Sequence, residues 1–476
     1  MGTIRTKRTL QVWKIVALWT VAAAALSSAA AAKRRAAGGE RAAAGSCARA
    51  HAASVEDFGA VGDGATSNTA AFAAAVAHLA RFESDGGAML VVPPGRWLTG
   101  PFNITCSHFT LFLHRHAVIL ASQNISEWPA IDPLPSYGRG RDLPGPRYSN
   151  FIMGSNLTDV IITGDNGTID GQGKFWWDKF HKKELDHTRG HLLEIMYSDH
   201  VLISNLTFVD SPFWTIHPVY SSNVIISGVT ILAPTDSPNT DGIDPDSCSY
   251  VRIEDCYIVS GDDCIAVKSG WDEYGIAFNM PSQHIVIKRL TCVSPTSSLI
   301  ALGSEMSGGI RDVRAEDVTA INTESGVRIK TSVGRGGFVR DVFVRGMTLH
   351  TMKWVFFMTG GYGQHPDDKY NPDALPVIED IHYSNAVAEN VSMVASLDGI
   401  RGDPFTGICI SNVTAGVTEL KKKKVQWNCT DVEGVWSDVA PRPCMSLRDK
   451  GTYEAPCKFP EERLPIESVE INPCSF

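Results

Sequence analysis

Three aspartates in one short stretch have the residue type and the spacing for acid–base chemistry. Asp241 lies in the segment NTDGIDPDSC, and Asp262 and Asp263 lie in SGDDCIAVKSG. The run between them, Val251 to Ile258, alternates like a strand. Asp262 follows Asp241 by 21 positions, about one turn of a wound β-sheet, so the acids are expected to stack above one another. Aspartates also occur in ordinary turns between strands, because their side chains bond readily to nearby backbone.

The elements that would position these acids form an internal repeat. Segments with the pattern apolar-x-apolar-x-polar-apolar-x-apolar begin at Val201, Val224, Val251, Ile285, Val313, Val342, Ile381 and Ile408. Irregular spacing of this size, with one short alternating strand per unit, is typical of a right-handed parallel β-helix. The polar fifth position, which is Arg289 in one segment, is predicted to turn the corner of each coil. An antiparallel sandwich would instead show tight hairpin turns between adjacent segments, and these segments are too far apart for that.

The repeat places charged residues in the same part of successive coils. Neighbouring coils stack about 4.8 Å apart, so the three carboxylates should share one face, with Arg328 and Lys330 of SGVRIK two coils further on. Strand alternation points Arg328 and Lys330 outward together. Asp262 and Asp263 are adjacent, so a bulge or bend is needed for both to reach that face.

Carboxylates clustered in this way favour glycoside hydrolysis. They repel one another when ionised, so at least one is expected to have a raised pKa and to carry a proton. A protonated acid beside ionised ones can protonate a leaving oxygen while its neighbour activates water. Guanidinium groups pair well with the carboxylate of a sugar acid. The alternative is a structural aspartate ladder satisfied by backbone groups and by Arg328.

Four motifs, NTDGIDPDSC, SGDDCIAVKSG, GSEMSGG and GVRIK, resemble those of the polygalacturonases of glycoside hydrolase family 28, closest to plant-like members of the exo-acting type. The segment VEDFGAVGDG and the helix after it resemble the opening of pectin-degrading β-helix enzymes. The resemblance runs from about residue 55 to 414. It implies inverting hydrolysis of α-1,4 linkages in galacturonan, without a metal or other cofactor. It further implies a general acid (Asp262), two residues that hold the water (Asp241 and Asp263) and three that bind substrate (Arg328, Lys330 and Asn239).

One position departs from the family. Ser298 occupies the place at which family members usually carry a histidine thought to tune the acid. The resemblance therefore predicts weak activity with an acidic optimum, and a faster enzyme when Ser298 is replaced by histidine. It also leaves open a catalytically weak or inactive protein that binds galacturonan in the cell wall. A lyase of the same fold is a third possibility, and it would need a calcium-binding acidic cluster and an arginine base.

The chain divides into four predicted parts. Residues 1–32 carry basic residues before an apolar run, which indicates a signal peptide or, alternatively, a type II membrane anchor. Residues 33–52 are a basic, low-complexity linker. Residues 53–420 form a single all-β, pectin-lyase-like β-helix, capped by a helix from about Thr69 to Phe82. Residues 421–476 form a cysteine-containing tail that begins with a lysine run, interpreted as a solvated loop.

Composition and sequons indicate a secreted protein, and the family resemblance implies that its destination is the cell wall. The net charge of −9 gives no reason to expect a nucleic acid partner. The chain has 11 cysteines, and in an oxidising compartment most should pair, leaving at least one free thiol. Eight N-x-Ser/Thr sequons predict a glycoprotein. The expected partner is pectic polysaccharide, the expected state is a monomer, and membrane contact is expected only through the N-terminal segment.

Overall fold

The structure is a computed structural model of the chain, and it describes residues 43–44, 48–418, 425–451, 456–472 and 474. The predicted signal peptide or anchor, most of the predicted linker and the lysine run at 421–424 lie outside these residues. Among the described residues, no helix is long and apolar enough to cross a membrane.

The predicted repeat is a stack of parallel strands. Val201 pairs with Val224, Val224 with Val251, and the same position pairs onward through every later segment to Ile408. All eight of these first positions are at most 2% exposed, so they form one inward row of the core. The related segment at Val160 adds a coil before Val201. The prediction of a right-handed parallel β-helix is confirmed.

The polar fifth position turns each corner through the left-handed backbone region. Its φ lies between 50° and 69° in all eight segments, at Asn205, Gly228, Asp255, Arg289, Asp317, Gly346, Asn385 and Asn412. Gly, Asn and Asp adopt this conformation at little cost. Arg289 adopts it too, and its Nε donates to the Asp255 carboxylate of the preceding corner at 2.6 Å. The salt bridge between two corners accompanies the one departure from the sequence pattern.

The strands lengthen toward the C-terminal end of the stack. The strands of the first coils are His51–Ser54, Ala88–Val92, Gly95–Thr99, Phe102–Ile104, Phe109–Leu113, Ala117–Ala121, Ile152–Ser155, Thr158–Gly164 and Thr168–Asp170. Those of the middle coils are Leu193–Met196, Asp199–Ser204, Thr207–Val209, Ile216–Val219, Ser222–Ser227, Thr230–Leu232, Ser249–Glu254, Tyr257–Val259, Ile265–Val267, Ser282–Lys288, Thr291–Val293 and Ser298–Leu302. The last coils are built from Ile310–Lys330, Phe338–Thr359, Val377–Asp398, Phe405–Val417, Trp427–Thr430, Val432–Ala440 and Leu447–Asp449.

Short strand pairs and helices complete the described secondary structure. Two pairs stand apart from the coils, Ala43–Ala44 with Glu470–Ile471 and, antiparallel, Ala130–Ile131 with Arg147–Tyr148. The α-helices are Thr69–Leu79, Lys174–Lys182 and Asp272–Phe278. The 3-10 helices are Val55–Phe58, Ala80–Phe82, Ile125–Glu127 and Pro465–Ser468.

The predicted N-terminal helix caps the first coils. It spans Thr69–Leu79 and continues as a 3-10 turn to Phe82, and it buries Phe72, Val76 and Leu79 in the core. Asn68 precedes the helix, but its side chain does not cap it. That side chain instead bonds to the backbone of Val61 and Leu98, so it ties the helix start to the first coils.

The C-terminal segment is only in part the separate tail that was predicted for residues 421–476. Trp427–Thr430 and Val432–Ala440 pair with earlier strands and so continue the β-helix. Residues 456–472, which we call the strap, then run back along the outside of the coils. Three basic residues bond to the strap from three different coils: Arg314 to the Glu462 carbonyl, Lys288 to the Glu467 carboxylate and Arg252 to the Ile466 carbonyl.

The strap covers apolar side chains that point out of the coils. Leu464 and Ile466 form a buried cluster with outward residues of four coils, Ile161, Leu202, Ile225 and Val286. The repeat pattern did not predict this contact, because alternation alone would place those four side chains in water.

Disulfides join neighbouring coils and fix the chain after them. Cys264 pairs with Cys292, Cys409 with Cys457, and Cys429 with Cys444. Among the described residues, Cys106, Cys248 and Cys256 are free and buried, in agreement with the expectation of at least one free thiol.

Candidate active site

The three predicted acids meet in one cluster. One carboxylate oxygen from each of Asp241, Asp262 and Asp263 lies within 4.8 Å of the others. Ile243 bridges Ile265 on the next coil, which sets Asp241 beside Asp263. Asp262 and Asp263 lie in a bend before the strand Ile265–Val267, as their adjacency requires. The predicted clustering of the three carboxyls and the predicted bend are therefore confirmed.

Asp263 is surrounded by donors. Lys330 Nζ lies 2.7 Å from Oδ2, and Ser297 Oγ donates to Oδ1 at 2.5 Å. The Ser298 backbone N–H donates to the same Oδ1 at 3.0 Å, and the Ser298 hydroxyl donates to it as well. Burial alone would raise the pKa of Asp263, but Lys330, Arg328 and these hydrogen bonds lower it below its usual range. Asp263 is therefore ionised across the physiological pH range.

Asp241 and Asp244 hold protons instead. Asp241 is 3% exposed, and burial, followed by the charge of Asp262, raises its pKa to about 8. Asp244 is fully buried, and neither of its carboxylate oxygens accepts a hydrogen bond from a described residue. Burial, and then the charge of Asp241, raises the pKa of Asp244 well above its usual value. The expected raised pKa thus falls on these two residues.

Asp262 is the accessible member of the cluster, since it is half-buried while its two partners are buried. Its Oδ1 accepts from the Asp263 N–H at 2.9 Å and lies 2.9 Å from Ser297 Oγ. Asn239 Nδ2 approaches Oδ2 at 3.3 Å, and Asn239 is itself held by buried Arg189 at 2.9 Å. Asn239, predicted to bind substrate, therefore contacts Asp262 directly.

The two predicted cations are buried and point out of the core toward the acid cluster, as strand alternation requires. Arg328 and Lys330 flank Ile329, which lies in the core. Lys330 is bonded to Asp263, and Arg328 bonds to the Glu324 carboxylate and to Ser325 Oγ, the latter at 3.0 Å. Both cations thus have protein partners, and their role in binding a substrate carboxylate stays a prediction.

Four further charged residues adjoin the cluster and were missed in the sequence. Lys268 Nζ lies 3.6 Å from Asp241, 3.5 Å from Asp244 and 3.5 Å from Glu305. Burial would lower the pKa of Lys268, but Glu305, Asp241 and Asp244 raise it well above its usual value. Arg141 in turn donates to Glu305 at 2.7 Å. Asp244, Lys268 and Glu305 lie inside the motifs already singled out, whereas Arg141 lies in a loop that no repeat marks.

Comparison with known proteins identifies the family. The profile of Glycosyl hydrolases family 28 matches residues 140–440. A probable polygalacturonase of Vitis vinifera is 65% identical over 432 residues, covering 90% of this chain and 87% of the relative. The chain belongs to glycosyl hydrolase family 28. A second relative, a probable polygalacturonase of Arabidopsis thaliana, is 30% identical and covers 86% of this chain and 80% of its own length.

Solved structures agree with this family 28 assignment. The exopolygalacturonase of Thermotoga maritima superposes with a TM-score of 0.69 at 28% identity, covering 77% of this chain and 87% of that one. The family 28 exopolygalacturonase of Yersinia enterocolitica superposes with a TM-score of 0.70 at 20% identity, which supports the fold alone. It covers 87% of this chain and 78% of its own. The protein is thus a glycosidase of the pectin-lyase-like β-helix fold.

A loop of this family 28 glycosidase covers one side of the acid cluster. Residues 132–146, which we call the flap, leave the coils between the strands Ala130–Ile131 and Arg147–Tyr148. Tyr137 Oη donates to Asp246 at 2.6 Å, and Arg139 Nη1 donates to the Pro366 carbonyl at 2.7 Å. The flap thus spans from the middle coils to the loop that follows the strand Phe338–Thr359.

Beneath the flap lies a second buried charged cluster. Glu194 and His217 are both fully buried, and His217 Nδ1 lies 2.9 Å from Glu194. Arg147 bonds both oxygens of Glu194, at 2.7 and 2.8 Å. His191, Glu194 and His217 have the spacing of a metal site, as do the three aspartates. In both clusters, cationic side chains of the protein, Arg147 in one and Lys330 in the other, already bond to a carboxylate that a metal would need.

Proposed function

We propose that this family 28 glycosidase is a polygalacturonase that hydrolyses α-1,4 linkages of pectic galacturonan. The observation that carries the proposal is that the three acids of the cluster differ in protonation and in exposure. Asp263 is ionised by its donors, buried Asp241 holds a proton to about pH 8, and Asp262 is half-buried and the most accessible of the three. A base, a proton store and an accessible acid within 4.8 Å supply what glycoside hydrolysis requires.

In the proposed mechanism, Asp262 donates a proton to the glycosidic oxygen. It is the only one of the three acids that is not buried, and Asn239 and Ser297 fix its orientation. Asp263 takes a proton from the attacking water, which Asp241 helps to hold. Because the carboxyls are close, Asp241 can return a proton to Asp262 between turnovers and take up in its place the proton that Asp263 removed from the water. Lys330 and Arg328 provide the positive charge that a galacturonate carboxylate would meet.

The stereochemical outcome needs its own test. The family resemblance implies inversion, yet inverting pairs usually stand about 6.5–9.5 Å apart and retaining pairs about 5–5.5 Å. The oxygens here approach within 4.8 Å, so separation alone does not favour inversion. Proton NMR of the first product settles the point. Inversion of an α linkage gives the β-anomer first, and an α-anomer appearing first contradicts the proposed roles of Asp241 and Asp263.

The activity is tested by the release of reducing ends from polygalacturonic acid, compared with an Asp262→Asn variant. We expect saturated galacturonate products from the parent protein and almost none from the variant. Binding without release would indicate the wall-binding alternative. A calcium-dependent product that absorbs in the ultraviolet would indicate a lyase.

We also propose that the enzyme attacks chain ends. On the N-terminal side of Asp241, the flap reaches the buried cluster of Glu194 and His217 through the contact of Tyr137 with Asp246, and Trp214 is 4% exposed. On the other side, Lys353 is exposed and Trp354 and Phe357 are half-buried, so a chain can extend that way. The relative from Thermotoga maritima is an exopolygalacturonase, which agrees with attack at chain ends.

End-wise attack predicts a characteristic product pattern. Early digests should contain one small product of uniform length, and viscosity should fall slowly relative to the release of reducing ends. A ladder of oligomers from the first minutes would show that the flap does not stop the polysaccharide chain on that side of the acids.

Finally, we propose that the protein is secreted to the cell wall as a monomer. The support for secretion is the charged and apolar N-terminal segment, the disulfides found among the described residues and the eight sequons. Retention in a membrane fraction after high-salt washing would favour the type II anchor instead, and a larger mass by light scattering would contradict the monomer.

A further inference from the structure

We propose that four hydroxyl side chains of one loop, those of Ser294, Thr296, Ser297 and Ser298, orient Asp262 and Asp263 and hold Asp263 as the base of the reaction. We call this group the hydroxyl clamp. The role in catalysis rests on the proposed hydrolysis. The contacts themselves do not depend on it.

The clamp first fixes the backbone that carries the two acids. Ser294 Oγ donates to the Asp262 carbonyl at 2.6 Å, and Thr296 Oγ1 donates to the Gly261 carbonyl at 2.8 Å. The Cys264 N–H donates to the Ser298 carbonyl at 2.8 Å. The disulfide between Cys264 and Cys292 joins the same two segments covalently. The bend that turns two adjacent aspartates toward one another is thus held from the next coil.

The clamp also binds the carboxylates. Ser297 Oγ lies 2.5 Å from Asp263 Oδ1 and 2.9 Å from Asp262 Oδ1. A serine hydroxyl has one hydrogen to donate and two lone pairs to accept with. If that hydrogen goes to Asp263, the contact with Asp262 is satisfied when Asp262 carries a proton and donates it to Ser297. The geometry therefore fits a protonated Asp262 beside an ionised Asp263, which is the assignment that hydrolysis needs.

Ser298 acts on Asp263 alone. The pairing of Ile265 with Ile300 places Ser298 at the position of Asp263 on the next coil, and its side chain is fully buried. Its N–H and its hydroxyl both donate to Asp263 Oδ1. A histidine there would remove the hydroxyl and force a larger ring into a filled position. The structure thus argues against the expectation that Ser298→His accelerates the enzyme.

The test is the pH dependence of Ser298→Ala and Ser298→Thr, with Ser221→Ala as the matched control. Ser221 is also a buried serine, but its hydroxyl donates to backbone carbonyls away from the acids. A hydrogen bond to an ionised group is worth enough to shift a pKa by about one unit. Loss of the Ser298 hydroxyl should therefore move the acidic limb of kcat/KM up by about one pH unit. We expect kcat to fall about tenfold with KM changed less than twofold, and Ser298→Thr to restore the limb.

A second readout separates this inference from the proposed activity. The loss of stability in Ser298→Ala should be present at neutral pH and should shrink only when the pH falls below the usual carboxyl range, because the lowered pKa of Asp263 keeps it ionised until then. The loss in Ser221→Ala should not depend on pH. An unchanged acidic limb in Ser298→Ala, a pH-independent loss of stability, or a Ser298→His enzyme faster than its parent would each overturn the clamp. Absence of activity in the parent protein would instead contradict the proposed function.

Discussion

Replacing Asp241 with asparagine should stabilise the protein while abolishing its activity. The Asp241 carboxyl is 3% exposed, its Oδ1 accepts no hydrogen bond from a described residue, and its pKa is raised from 3.8 to about 8. The folded state therefore binds this proton more tightly than the unfolded state does. Stability from this group is greatest at low pH and falls as the pH rises from about 4 toward 8. Asparagine has nearly the same shape and does not titrate.

The size of the effect follows from linkage. Each unit of pKa difference corresponds to about 1.4 kcal/mol, so the cost of Asp241 should grow by roughly 4 kcal/mol between pH 4 and pH 7. Lys268 would lose one of three acidic neighbours in Asp241→Asn but would keep Asp244 and Glu305, which offsets part of the gain. For a folded unit of this size, 1 kcal/mol corresponds to about 1 °C in Tm.

The assay compares the Tm of Asp241→Asn and of the parent from pH 4 to pH 7 at matched scan rates. We expect no difference at pH 4 and a gain of a few degrees at pH 7. Asp236→Asn is the control, because Asp236 is exposed five positions earlier and its substitution should give a pH-independent result. A difference that stays constant with pH, or a variant less stable at pH 7, would refute the buried-proton interpretation.

Three further predictions follow from the same structure. The kcat/KM should fall as the pH rises through about 8, because Asp241 then loses the proton that it would return to Asp262. A pH–rate profile without that descending limb would contradict this role of Asp241. Lys330→Met should lower kcat as well as raise KM, because Lys330 bonds to Asp263. A change in KM alone would show that Lys330 only binds substrate. Ile466→Asp should destabilise the fold by about 2–4 kcal/mol in denaturant titrations by uncovering the outward apolar row, and an unchanged midpoint would show that the strap is dispensable.

The repeat made most of the fold predictable. Eight segment starts and eight corner positions were identified from the sequence, because a residue that must be inward or left-handed on one coil faces the same constraint on the next. The strap was not predictable in this way. Its contacts with Ile161 and Leu202 link parts of the chain more than 250 positions apart, and no periodic pattern joins them.

The acids of the site were predictable, but their electrostatics were not. The positions of Asp241, Asp262 and Asp263 within successive repeat units predicted that they lie together. Which of them holds a proton depends on Lys268, Lys330 and the serines of the hydroxyl clamp, whose directions the sequence does not show. Ser298 illustrates this limit. In the sequence it was notable only because family members usually carry a histidine there, whereas in the structure it donates a hydrogen bond to Asp263.

The central claim is that the acid cluster hydrolyses galacturonan, and the most direct measurement is product analysis of polygalacturonic acid digests. Parent protein, Asp262→Asn and Asp263→Asn should be compared under identical conditions, with reducing ends and ultraviolet absorbance recorded together. We predict saturated galacturonate with free reducing ends from the parent, and a loss of at least a hundredfold in each variant. Equal release by parent and variants, or an unsaturated product, would contradict the account.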